Sequence, residues 1–192
     1  MKLKIQILFM LFGNLFGFSQ TQETLEGDTQ KMYDASFRAV YEEIVNCSYP
    51  KLFEFIKKED MIKSLKSLNE NPDFQLRLVH QKPEFNYGEV KNIEGKFVCL
   101  ISYKNAFRMT YVKTISDELS KSVLSQFLQN PDYTSALFEK DRNSFLLETV
   151  SYLIAVYDET TENSWKFINY SKTESSYFIK VLGSTIVREL GL

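Results

Sequence analysis

The chain has 192 residues, 44% of them hydrophobic and 25% charged, with 7 Gly, 4 Pro, 2 Cys and a single His. That composition is ordinary for a compact domain and excludes the collagen-like, low-complexity and disulfide-dense classes. One His and two Cys leave no donor set for a zinc finger, a multi-His metal site or an iron–sulfur cluster, so no metal or other cofactor is expected.

Residues 1–19 differ from the rest. Lys2 and Lys4 precede an apolar run from Ile5 to Phe18, interrupted by Gln6, Gly13, Asn14 and Gly17. The run falls short of the about 20 apolar residues that a bilayer-spanning helix needs. Gly17 and Ser19 supply the small side chains that a signal peptidase accepts. The expectation is a secretory signal peptide cut between Ser19 and Gln20, with export to the periplasm or the exterior and no membrane span after cleavage. Losing Lys2 and Lys4 takes the bases from 23 to 21 against 25 acids, a net charge of −4. A mildly acidic chain without basic clusters lacks the surface on which nucleic-acid affinity depends, so that partner class is excluded. Export permits a disulfide, for which Cys47 and Cys99 are the candidates; the alternative is that both are small buried hydrophobes.

Residues 20–30 are polar and show no hydrophobic period, which predicts a flexible leader, with a single domain over 31–192. From there Tyr33, Phe37, Val40, Ile44 and Cys47 recur at helical spacing and predict a helix burying one face. A second short helix is expected from Pro50, and a third from Glu59, with Met61, Leu65 and Leu68 on its apolar side. The period then changes to two. Phe74, Leu76, Leu78 and His80 form the apolar row of a strand, and after Gly95 the residues Phe97, Cys99, Ile101 and Tyr103 form that of another. Lys104 and Asn105 fit a tight hairpin turn, with a return strand from Phe107 to Val112. Ser116 can cap a helix that Pro131 stops. Strands over Ser135–Glu139 and Phe145–Tyr157 follow, joined by a turn at Asp141, Arg142 and Asn143; the last strand starts at Trp165. The tail has helical spacing in Phe178, Leu182, Ile186 and Leu190, with Gly183 dividing it into one helix or two.

Helices followed by antiparallel hairpins predict an α+β fold, a curved, mostly antiparallel sheet packed against the N-terminal helices, with an added C-terminal helix. That element order over residues 31–171 resembles the NTF2-like cone, whose helices close one side of a bent sheet. The stretches Ser48-Tyr49-Pro50-Lys51-Leu52-Phe53, Gly95-Lys96-Phe97-Val98 and Trp165-Lys166-Phe167 resemble those of small exported α+β proteins. The resemblance implies an apolar cavity inside the cone, here lined from 74–80, 97–103, 107–112 and 145–157.

Catalytic motifs are lacking: no glycine-rich phosphate loop, nucleophile elbow, Cys-x-x-Cys or His-Glu-x-x-His occurs. The function expected is therefore a non-catalytic module that binds a small apolar ligand or an exported protein partner. Tyr87, Tyr103, Tyr111 and Tyr152 are the candidate contacts, because a buried tyrosine hydroxyl needs a partner. The alternative is an isomerase, dehydratase or hydrolase in which His80 is the general base, supported by a Tyr and by Asp73 or Glu84. It requires His80 to open into the cavity.

Overall fold

The computed structural model describes residues 24–171 and 175–192; the signal-like stretch 1–19 and its cleavage site lie outside the described residues. The elements are α1 (24–37), α2 (Tyr41–Cys47), a 3₁₀ turn (Pro50–Glu54), α3 (Lys58–Asn69), β1 (Phe74–Leu78), β2 (Phe85–Tyr87), β3 (Lys91–Ile93), β4 (Lys96–Tyr111), α4 (Asp117–Gln129), β5 (Tyr133–Glu139), β6 (Ser144–Tyr157), β7 (Lys166–Tyr170), α5 (Ser175–Leu182) and α6 (Ser184–Glu189). The fold is α+β, with seven antiparallel strands in one curved, open sheet. No helix among the described residues is long and apolar enough to cross a membrane.

Two long strands form the spine. β4 and β6 pair from Phe97–Tyr157 to Thr110–Ser144, and each borrows its outer neighbours in pieces. Along β4 these are β3, β2 and then β1; along β6 they are β5 up to Thr149 and β7 from Tyr152. Lys104 and Asn105 therefore do not turn. They pair with Val150 and Thr149 in mid-strand, and the expected hairpin is replaced by one 16-residue strand. Asn tolerates a turn without demanding one. Here a partner of matching length was available, and tertiary pairing overrode the local preference.

Alternation along the spine gives the sheet two different faces. Phe97, Cys99, Ile101 and Tyr103 pack with Leu153, Ala155 and Phe167 beneath α1 and α2, around Met32, Tyr33 and Ile44. Farther along the same face, Phe145 and Leu147 are fully buried, and Phe127 of α4 meets Phe145 edge-on at 5.4 Å. On the other face Val98, Ile154, Val156 and Ile168 are covered by the 3₁₀ turn, α5 and α6 through Leu52, Phe178 and Ile186. The remainder of that face is open, with Gln75, Arg77, Lys104 and Glu148 exposed. Antiparallel sheets commonly leave such a wet region.

Two further expectations change. The leader is helical from residue 24: Leu25 and Thr29 are fully buried, and Thr29 satisfies its hydroxyl on the Leu25 carbonyl at 2.7 Å. Asp28 accepts the Trp165 N–H at 2.8 Å and ties that turn of helix to the start of β7. The predicted single N-terminal helix is two, because the chain closes α1 with a left-handed Ala39 (φ 54°) and a Val40 N–H bonded back to Ala35 at 2.9 Å. This is the Schellman pattern with alanine where glycine is usual. The tail divides at Gly183, whose φ of 92° suits glycine and ends α5.

Candidate functional site

The four candidate tyrosines separate. Tyr103 packs edge-on against Tyr33 at 5.7 Å and Phe85 at 5.2 Å, beneath α1. Burial pushes its hydroxyl up to about 12, opposed by a hydrogen bond with Ser151. Tyr87 lies beside Phe85 on the same face, its hydroxyl raised by burial. Tyr111 rests between Phe74 and Phe145, and burial raises it too. All three stay protonated near neutral pH and can hydrogen-bond but not act as bases. Tyr152 stands on the opposite face, where it meets the ring of Tyr170 at 6.2 Å.

His80 lies beyond the end of β1 and is exposed. What it contributes to the fold is its carbonyl, which accepts the Tyr33 hydroxyl at 2.7 Å. Asp73 and Glu84 are exposed as well. A general base has to reach a bound substrate, and His80 lines none of the depressions described below.

Cys47 and Cys99 are free thiols rather than a bridge. The Cys99 thiol donates to the Gly88 carbonyl at 3.4 Å, toward β2, and burial raises its pKa to about 11. Cys47 instead borders a surface cleft with Lys31, Trp165 and Lys166, and burial holds its pKa above the ordinary thiol value. Neither thiol is activated.

Among the described residues, the inner face beneath α4 is packed with rings where the cavity was expected. Its rows interlock through Phe107, Phe127, Tyr133, Phe138 and Phe145, with ring centroids between 4.9 and 6.0 Å for the contacting pairs. The depressions described here lie on the surface instead. One is a notch of about 450 Å³ at the β6 edge, in the interval between the last β5 pairing at Thr149 and the first β7 pairing at Tyr152. β6 supplies Thr149, Val150, Ser151 and Tyr152. Asn169, Tyr170 and Ser171 form one wall, and Pro131, Asp132 and Thr134 form the other.

A second depression, of about 460 Å³, shares Tyr152 with the first and runs across the open face past Ser102 and Leu100 to Asn86, Gly88 and Lys91. Leu190, just after α6, limits it on one side, and Lys91 is anchored there by its bond to the Glu189 carbonyl at 2.6 Å. Tyr87 borders this second depression through β2, so two of the four candidate tyrosines meet the groove while Tyr103 and Tyr111 do not.

The notch is held from behind. Asn105 donates its amide to Ser151 Oγ at 3.0 Å, and Thr149 Oγ1 donates to the Asp132 carbonyl at 2.6 Å, which fixes the start of β5 against β6. Asn105 Oδ1 is buried without a hydrogen-bond partner among the described residues. Ser151, Asn169, Asp132 and Asn105 were missed by the sequence reading. They come together only through the register that ends β5 and begins β7 at neighbouring levels of β6. No protein-family model matches the chain, and no curated protein matches it in sequence.

Proposed function

We propose that this chain is an exported, non-catalytic binding module of NTF2-like element order, and that its ligand seats in the groove centred on Tyr152. The observation that carries the reading is that two depressions meet at one half-buried tyrosine on the face the helices leave uncovered. Packed rings fill the inner face beneath α4. An open groove with mixed lining suits a ligand held along its length better than a small apolar molecule enclosed on all sides. The NTF2-like assignment is supported by the order of helices and bent sheet, and export by the signal-like stretch 1–19. The exposed position of His80 favours binding over catalysis.

Native mass spectrometry of the protein recovered from the cells that export it tests the reading. The expected spectrum shows a chain beginning at Gln20 and carrying a bound species, which the Tyr152→Ala variant loses while keeping its far-UV circular dichroism. A wild-type chain without any retained species, or a species retained equally by Tyr152→Ala, contradicts it.

A further inference from the structure

The geometry points to a neutral oligosaccharide as the occupant of the Tyr152 groove, an inference that names the ligand class for the binding reading above and rests on it. None of the notch's ten lining residues is basic, and Asp132 is its single acid. An anionic ligand, whether phosphate, sulfate or nucleotide, would find no counter-charge in the notch, and in the second depression the one base, Lys91, is tied to the Glu189 carbonyl and offset by Glu89. A hydrocarbon ligand fits no better. It would strip water from Thr134, Asn169 and Asp132 and return no hydrogen bonds, which is the costly way to bury polar groups.

A peptide could be recognised by strand addition, but that mode needs a sheet edge several residues long. β6 offers only Val150 and Ser151 between its β5 and β7 pairings. A pyranose has the complementary chemistry, with an apolar C–H face and a rim of hydroxyls that both donate and accept. The notch presents two aromatic rings, Tyr152 and Tyr170, on the open face of the sheet, and around the gap between β5 and β7 the polar side chains of Asp132, Thr134, Asn169 and Ser171. The notch volume of about 450 Å³ falls in the range of small-molecule sites, roughly 300–1,000 Å³. The second depression continues past Tyr152 with Ser102 and Asn86, so the groove extends beyond a single sugar and suits a chain of them.

The test titrates the mature chain, residues 20–192, with maltohexaose, cellohexaose, laminarihexaose and chitohexaose by calorimetry. A heparin hexasaccharide and an array of random pentadecapeptides serve as parallel arms. The inference expects at least one neutral hexasaccharide to bind. Tyr152→Ala should weaken that binding by about ten-fold or more. Asn169→Ala, at an exposed position that the fold does not use for packing, should weaken it measurably, and Lys63→Ala on α3 should leave it unchanged. Binding of the heparin fragment in preference to the neutral sugars overturns the inference, as does sugar binding indifferent to both groove variants. Tyr152-dependent peptide binding without sugar binding removes the ligand class and leaves the groove as a binding site. No binding in any arm removes both.

Discussion

Asn143 joins three segments of the chain through one side chain. It sits between the 3₁₀ turn Lys140–Arg142 and β6 in the left-handed region, at φ 50° and ψ 43°. Its Oδ1 accepts the Ile115 N–H at 3.1 Å, and its Nδ2 donates to the carbonyls of Tyr111 at 3.0 Å and Lys113 at 2.9 Å. One side chain thus holds the segment that carries the chain from β4 to α4, the helix that covers Phe145. Three hydrogen bonds, two part-buried and one exposed, at about 0.5–1 kcal/mol each give roughly 1.5–3 kcal/mol. Alanine adds about 1 kcal/mol for the left-handed conformation, which glycine adopts freely. Asn143→Ala should therefore cost roughly 2.5–4 kcal/mol and Asn143→Gly roughly 1.5–3 kcal/mol. For a domain of this size, the alanine variant should lower Tm by about 5–15 °C. Urea unfolding of both variants, followed by circular dichroism, measures the ordering. An alanine variant within about 0.5 kcal/mol of wild type, or a glycine variant less stable than the alanine one, would refute the reasoning.

Three other substitutions test separate parts of the structure. Leu25→Ala should destabilise by about 2–4 kcal/mol in the same urea assay, because Leu25 is fully buried; a neutral result would return residues 24–30 to the status of a leader. Ala39→Gly should stabilise by about 0.5–1 kcal/mol by relieving the left-handed alanine at the end of α1. Tyr49→Phe should cost about 1.5–3 kcal/mol, since the fully buried tyrosine donates to the Asp158 carboxylate at 2.7 Å. Burial raises the Asp158 pKa, but hydrogen bonds from Thr160 and Tyr49, with the charge of Lys51, outweigh it and hold the group below its ordinary value of 3.8. A depressed carboxyl pKa stabilises the fold above the ordinary value and loses that contribution as pH falls through the folded one. Tyr49→Phe should therefore lose stability less steeply than wild type below about pH 4; equal slopes would contradict the assignment.

Local chemistry made much of the fold legible. Ser116 caps α4, its Oγ accepting the Leu119 N–H at 3.1 Å, Asn143 takes the expected turn, and Gly183 divides the tail. The alternating rows at 74–78 and 97–103 lie on the faces their period implied. What local pattern could not supply was register. Residues 24–30 bury little beyond Leu25 and Thr29, a threonine that becomes apolar in effect by bonding its own helix, so no hydrophobic period marks them. Lys104 and Asn105 read as a turn because nothing near them in sequence announces the β6 residues they meet. The groove depends on the same missing information. Tyr152 could be singled out as a tyrosine in a strand, but its neighbours Asp132 and Asn169 arrive from chain segments on either side of β6, brought there by where two other strands end and begin.

Photo-crosslinking in the cell that makes the protein tests the central claim, that the ligand seats at the β6 edge between β5 and β7. Benzoyl-phenylalanine replaces Val150 or Asn169 at the notch, and Lys63 or Lys180 elsewhere on the surface. The account predicts a discrete adduct at positions 150 and 169 and none at 63 and 180. The absence of any adduct at 150 and 169, or adducts of equal yield at all four positions, would contradict it.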